Sequence, residues 1–497
     1  MTPLYDAIRA FSAQGPVRLH IPGHKGKPLP IPELTGAAAL DVTELGPTGD
    51  LFHGGEPFDS AQRLWAEDFS MDCCQFLTGG STLGLHTALA LCCRPGDRVL
   101  IDRGCHRAVY NALALLDLEP VYLPRPWWEE ERLTSTISPE SVEKALTEHP
   151  EIKTVCITSP SYCGLLCDVK EISHMVHRNG GRLIVDGAHG AHLPFLGVDA
   201  FAGADVVVCS AHKTLPALGQ SSLLFANGFE PEQVRRMTSV YGSSSPSYPM
   251  MISMDGARDW MEGEGKLLYR RTAERTAALR ERFPSLQEGA LDPTRLTLNA
   301  VDGPALARAL EARGLWPEME DGGHVVLILT GMDSGEDLDR LERGLEEVPE
   351  LLGRCPPIPA PPMPERVLSP REALFARTER LPLEGCAGRV SAVQLAPYPP
   401  GVPVVAPGER ITEKELAYLR EIGYNNHEVS VILWNVPLGR SEECYGTVGP
   451  GGQRPCEGGP LPAGGGPGPV PRLYPLRPGG VGAAYPGPAA VRGYAVC

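Results

Sequence analysis

The chain lacks several features that would decide its class at once. No uninterrupted apolar run reaches the roughly 18–20 residues that a bilayer-spanning helix needs, which excludes a helical membrane protein. The N-terminal stretch from Met1 to Phe11 has no basic flank leading into an apolar core, so it does not read as a signal peptide and the expected location is the cytoplasm. Although there are 14 cysteines, none forms a CxxC pair, which argues against a zinc or redox centre. Cys73-Cys74 and Cys92-Cys93 instead read as reduced, buried small hydrophobes. Basic charge is also in short supply: a formal net charge of −16 argues against nucleic acid or an anionic membrane as the main partner. A soluble enzyme remains, with an acidic surface that weakly suits cationic substrates.

What is present points to two or three domains. At 497 residues the chain exceeds a single typical core, with ordinary globular contents of 42% hydrophobic and 21% charged residues. Residues 1–30 are expected to form an N-terminal arm with a short amphipathic helix, followed by the turn-rich Arg18-Leu19-His20-Ile21-Pro22-Gly23-His24-Lys25-Gly26. Over 31–262, helix-like and strand-like stretches alternate. Ser81–Cys93, His106–Leu116 and Val169–Arg178 read as helices; Val99–Ile101, Val121–Leu123, Ile152–Thr158, Leu183–Asp186, Val206–Cys209 and Leu223–Phe225 read as strands. That rhythm predicts an α/β domain with a mainly parallel sheet flanked by helices. Over 263–435 a charged helix (264–283) and shorter α and β stretches suggest a smaller α+β region, interrupted by the extended connector Pro356–Pro362. Residues 436–497 are dominated by Gly and Pro, cannot bury enough apolar surface to order themselves, and resemble a frame-shifted reading of a GC-rich gene.

The chemistry concentrates in Leu183-Ile184-Val185-Asp186-Gly187-Ala188-His189 and Val206-Val207-Val208-Cys209-Ser210-Ala211-His212-Lys213. Each is a buried-strand pattern that ends in polar residues. An acid and an amine delivered from neighbouring strand ends suit pyridoxal 5'-phosphate: Lys213 for a Schiff base with the aldehyde, Asp186 to keep the pyridine nitrogen protonated. Either residue alone has a bland reading, as a surface lysine or a turn acid; together, with one strand-sized run between them, they are far more specific. His189 and His192 could order the Asp or approach the cofactor. Thr78-Gly79-Gly80-Ser81-Thr82 opens a helix and offers backbone N–H groups to an anion, although a plain capped helix would look similar. Ser210 and His212 are further phosphate candidates. His106 could stack on a cofactor ring or merely cap its helix, and Ser243-Ser244-Ser245-Pro246-Ser247-Tyr248 could donate to a phosphate or be a simple Ser-rich loop.

Taken together these pieces resemble the Orn/Lys/Arg decarboxylase family, pyridoxal-phosphate enzymes of the aspartate-aminotransferase fold (fold type I), in its short form without an N-terminal wing domain. The matching pieces are Leu19–Gly26, Asp41-Val42-Thr43-Glu44-Leu45, the Gly-Gly-Ser-Thr turn, Cys105-His106, Asp186–His192, Ser210–Lys213, Ser244–Tyr248 and Tyr398-Pro399-Pro400-Gly401-Val402-Pro403. The resemblance implies a seven-stranded-type sheet plus a smaller C-terminal α+β domain. It implies Lys213 as the Schiff-base lysine, Asp186 as the pyridinium partner and His106 on the ring. Gly80, Ser81, Thr82, Ser210 and His212 would surround the phosphate, with His189 nearby. It also implies a homodimer with the active site at the subunit interface, where Ser244 and Ser245 would serve the neighbouring subunit. One departure stands out: the family usually carries Glu after the Asp, and this chain has Gly187.

The implied reaction is decarboxylation of arginine, lysine or ornithine to the amine and CO2, with no metal. An aminotransferase uses the same Asp and Lys, and a degenerate binding or regulatory subunit would keep the fold without turnover. Glu318 and Glu409 are the candidates for reading the substrate's distal cation.

Overall fold

The computed structural model describes residues 1–396, 403–424 and 428–433. The Tyr398–Val402 part of the Tyr-Pro-Pro-Gly motif and the Gly/Pro-rich stretch 436–497 lie outside them. Among the described residues no helix is long and apolar enough to cross a membrane.

Seven strands build the main sheet: β1 (Cys73–Leu77), β2 (Arg98–Asp102), β3 (Glu119–Leu123), β4 (Thr154–Thr158), β5 (Arg182–Asp186), β6 (Val206–Ser210) and β7 (Ser222–Ala226), in the order β1-β7-β6-β5-β4-β2-β3. Only β7 runs against the rest; it pairs antiparallel with both β1 and β6. The carboxyl ends of β1, β2, β4, β5 and β6 therefore share one edge of the sheet, joined there by the amino end of β7. Ligands of open α/β sheets gather at such an edge.

Burial on both faces explains the near-continuous apolar runs. Along β6, Val207 and Cys209 enter one core cluster while Val206 and Val208 enter the other, the period-two alternation of a strand. One face packs on an aromatic cluster of Trp65, Phe69, Phe195 and Phe225, with the Phe69 and Phe225 rings stacked at 3.9 Å. The other is covered by the helices Gly80–Cys92 and Arg107–Leu116, through Leu85, Leu89, Val109 and Leu113. The helix Val169–Arg178 shows why such elements form: Asp168 accepts the Glu171 N–H as N-cap, Val169, Ile172 and Val176 share the buried face, and His177 and Arg178 occupy the last turn.

Beyond the long helix Lys266–Arg282, a second sheet is formed by β8 (Arg295–Asn299), β9 (Met319–Glu320) and β10 (His324–Ile328), in the antiparallel order β8-β10-β9. Further on, β11 (Thr378–Pro382) pairs antiparallel with β12 (Glu428–Ile432) around its own apolar cluster. This last region is tied to the main sheet by a buried ion pair. Arg103, just past β2, sends Nη1 and Nη2 to Glu409 Oε1 and Oε2 at 2.5 and 2.8 Å, and the Ala406 N–H donates to Oε2 at 2.7 Å. The guanidinium also lies 4.9 Å from the centre of the Tyr122 ring.

Replacing Glu409 by Gln leaves a buried guanidinium without its anion. The expected loss is about 3–5 kcal/mol, read as a fall in the urea midpoint. The double variant Arg103→Met, Glu409→Leu should cost clearly less, because no charge is stranded.

Candidate active site

Two adjacent parallel strands deliver the central pair. β5 ends on Asp186, opposite Val208 of β6 and Thr158 of β4. β6 ends on Ser210, and the following turn Ala211–Thr214 carries Lys213 back over the sheet edge. The Gly187 N–H donates to the Val208 carbonyl at 2.9 Å and the Ser210 N–H to the Ala188 carbonyl at 3.3 Å, which fixes the two strand ends against each other. Lys213 Nζ lies 3.2 Å from His189 Nε2. The other ring nitrogen of His189 lies 3.3 Å from Arg295 Nη2, and the Tyr162 ring meets the imidazole edge-on at 4.8 Å.

Burial sets the protonation states here. Asp186 is 2% exposed and its carboxylate accepts one described hydrogen bond, from the Ala188 N–H at 3.2 Å. Desolvation pushes its pKa up to about 6, against the opposing pull of Lys213 and that N–H. Burial likewise lowers the Lys213 amine, aided by Arg295 and opposed by Asp186 and Glu318. His189 is held well below its ordinary value by burial and then by Lys213 and Arg295, so it is a neutral imidazole beside the amine. His106 is brought down to about 4 by burial and the nearby Lys213 and Arg107. It caps the helix Arg107–Leu116, its Nδ1 accepting the Ala108 N–H at 3.2 Å, which orients the ring.

Beside this cluster lies a second group suited to an anion. Ser81 Oγ is 2.6 Å from Ser210 Oγ and 3.2 Å from Ser222 Oγ. These hydroxyls surround the N-terminus of the helix Gly80–Cys92, whose first turn has no side-chain cap. Gly80 adopts φ +68°, a left-handed conformation that favours glycine. His212 holds the Ser221 carbonyl through Nδ1 at 2.8 Å, and Ser221 Oγ is buried without a described partner. A helix start without a side-chain cap, clustered hydroxyls and a buried hydroxyl with no described partner together make a receptive anion site.

Thr82 follows Ser81 on the first turn of the same helix and is exposed. Other candidates fall elsewhere. Ser244 and Ser245 sit on an exposed loop with no described hydrogen bond to the Lys213 cluster. His192 neither orders Asp186 nor faces Lys213: it is fully buried 3.0 Å from Asp292 Oδ1, because the turn after β5 aims it at the strand that opens the second sheet. Glu409 cannot read a substrate cation, since Arg103 already occupies both of its oxygens. Gly187 also has a local reason. A Cβ there would lie 2.7 Å from Phe201 Cε1 and 3.2 Å from Cys209 Sγ, so Phe201 fills the space an acid would need.

Four contributors were not foreseen. Arg295 is 1% exposed and touches His189, and Tyr162 covers that histidine. Asp102 and Arg125 form a buried pair beneath the His106 loop, and the Gly104 N–H donates to Asp102 Oδ1 at 2.8 Å. The Asp102 position at the end of β2 was the one available signal, an acid closing an apolar strand like Asp186. A cavity of about 170 Å³, lined by Gly104, Arg125, Trp127, Thr158, Tyr162 and Tyr418 among others, shares Tyr162 with the Lys213 site.

Comparison with known proteins bears on the family and the fold. The Orn/Lys/Arg decarboxylase major domain matches residues 2–305, and the C-terminal domain of the same family matches 360–428. The arginine decarboxylase of Bacillus subtilis strain 168 is 30% identical over 455 residues, covering 84% of this chain and 93% of that protein. The constitutive lysine decarboxylase of Escherichia coli K12 is 23% identical, over 78% of this chain and 70% of its own. Among solved structures, the Francisella novicida lysine decarboxylase LdcF superposes with a TM-score of 0.73 at 20% identity, covering 87% of this chain and 81% of that one.

The fit of Phe201 against Gly187 is open to a double-mutant cycle. Gly187→Glu alone should destabilise the protein by about 1–3 kcal/mol through overpacking, measured by thermal unfolding. Adding Phe201→Ala to Gly187→Glu should recover part of that loss, giving a coupling of opposite sign to the single effects.

Proposed function

The chain belongs to the Orn/Lys/Arg decarboxylase family, and from that premise we propose that it removes CO2 from arginine or lysine through Lys213 and Asp186. The enzyme is a pyridoxal-phosphate-dependent amino-acid decarboxylase acting on basic amino acids. Arginine is the first substrate to test, because relatives at 29–30% identity from Bacillus subtilis, Bacillus anthracis and Halalkalibacterium halodurans carry the name arginine decarboxylase while the lysine decarboxylases stand at 22–23%. The observation that carries the residue assignment is the buried Asp186 carboxylate: among the described residues Lys213, delivered from the neighbouring strand, is the cation that acts on it.

The groups present suit the cofactor. A protonated ring nitrogen supplies the cation that the desolvated Asp186 lacks, and the Ser81, Ser210, His212 cluster with the open helix N-terminus suits a phosphate dianion. When bound, pyridoxal phosphate supplies the sink for the electron pair released with CO2. Asp186 would hold the ring proton and so deepen that sink. His106, neutral and fixed by its helix cap, would lie against the ring face. Gly80, Ser81 and Thr82 with Ser210 and His212 would hold the phosphate. Lys213 has a lowered pKa and therefore a larger share of free amine for attachment. His189, 3.2 Å from Lys213 Nζ, can exchange a proton with that amine.

A homodimer belongs to the same proposal. Ser244 and Ser245 are exposed, and Val17, Leu19 and Ile21 of the N-terminal arm are 85%, 89% and 56% exposed. Such apolar exposure on an extended segment fits burial against a second subunit, whose cofactor Ser244 and Ser245 would reach.

Lys213→Ala should abolish turnover and the visible absorbance of lysine-bound cofactor; persistence of that absorbance would mean another attachment point. Wild-type enzyme given arginine, lysine or ornithine without a keto acid should release CO2 and the matching amine, whereas transfer only in the presence of a keto acid would mark an aminotransferase. Cofactor affinity should also depend on pH. Asp186 ionises at about pH 6 in the cofactor-free protein, and only the ionised form can hold the ring proton. Affinity should therefore fall as pH drops below about 6, and Asp186→Asn should be weak and flat across the same range in an absorbance titration.

A further inference from the structure

We infer that Glu318 receives the distal cation of the basic substrate, with the Tyr162 hydroxyl orienting it. The inference rests on the function proposed above and adds to it the side chain that distinguishes a basic amino acid from a neutral one. The substrate's α-amino group must take over the position that the Lys213 amine holds, so the distal cation has to find an anion a side chain's length away. Glu318 belongs to the same neighbourhood. Its carboxylate accepts the Tyr162 hydroxyl at 2.5 Å, the Tyr162 ring lies on His189, and His189 reaches Lys213. Its charge is felt at the Lys213 amine.

Rival acids are already engaged. Asp186 is buried and is assigned to the ring nitrogen in the function proposed above, Asp102 is paired with Arg125, Glu409 with Arg103, Asp292 with His192, and Asp321 with His324. Glu318 has no ion pair to a basic side chain among the described residues. Its backbone is nevertheless fixed, because its N–H donates to the Val326 carbonyl at 3.0 Å. The side chain is exposed and open to a substrate that would cover it. Covering it removes water and strengthens the attraction. A fixed, accessible and uncommitted carboxylate is what a cation subsite needs, and its hydrogen bond from a neutral phenol aims the carboxylate without neutralising it.

The test compares holoenzyme with Glu318→Gln, Glu318→Asp and Tyr162→Phe. Arginine is set against its neutral isostere citrulline and lysine against norleucine, as substrates or, where turnover is too slow to read, as competitors. Glu318→Gln should retain cofactor absorbance yet lower the preference for arginine over citrulline by about tenfold to a hundredfold, the worth of one charge-assisted hydrogen bond. KM should carry most of the change, Glu318→Asp should recover part of it, and Tyr162→Phe should produce a smaller loss. An unchanged preference in Glu318→Gln overturns the assignment. So does an equal fall for charged and neutral substrates, which would make Glu318 only a strut for Tyr162. If the wild type with normal cofactor absorbance turns over no basic amino acid, the proposed function itself fails and the subsite with it.

Discussion

A carboxylate buried with no ion pair among the described residues, in the field of one lysine, is the constraint around which the rest of this site is arranged. Asp186 has given up water for one backbone N–H and the field of a lysine whose charge is itself disfavoured by burial. Such a group is costly in an otherwise well-packed sheet, and the sheet holds it only because β4, β5 and β6 fix its backbone on both sides. The pKa of about 6 expresses that cost. A ring nitrogen that carries a proton relieves it, so the same feature that weakens the cofactor-free protein favours the loaded one.

Most other buried charges around this edge are balanced internally, and they frame the site rather than react in it. Asp102 with Arg125 holds the loop that leads to His106. Arg103 with Glu409 fastens that loop to the C-terminal region. Asp292 with His192 anchors the turn after β5 to the start of β8, where Arg295 reaches back to His189. Each pair joins different elements, so breaking one strands a charge and also loosens a wall. His106 and His189, both acted on by Lys213, are by contrast held below their ordinary values, and Arg295 is the described cation that lowers the amine.

Much of this was legible in the amino-acid order, for reasons that differ by element. The central strands could be read because both faces are buried, leaving apolar runs such as Val206-Val207-Val208 that end abruptly in polar residues. The helix Val169–Arg178 follows its expected bounds because cap, apolar stripe and basic last turn agree. β1 escaped notice: Cys73-Cys74-Gln75 has a polar residue in its middle and no β-branched residues, and its burial depends on an antiparallel partner some 150 residues away. The approach of Lys213 to His189 follows from strand adjacency, whereas the burial of His192 against Asp292 needs the second sheet in place. A residue's type and its distance along the chain say nothing about which turn will aim it where.

The two glutamates that the sequence offers alike for the substrate's cation show the same limit most clearly. Glu318 and Glu409 have the same functional group, and neither lies in a motif that declares its task. Glu409 is buried, which looks at first like the mark of a binding residue, yet burial obliged it to acquire Arg103, and that partner ends its availability. Glu318 is exposed, which looks like the mark of an ordinary surface acid, yet among the described residues its carboxylate meets a phenol and no basic side chain. For an acid that must bind a cation from solution, the missing counter-ion therefore says more than burial, and only the folded chain shows which counter-ions are missing. The logic is the one that singles out Asp186: in both places the unbalanced negative charge marks where a positive group from outside the chain can settle.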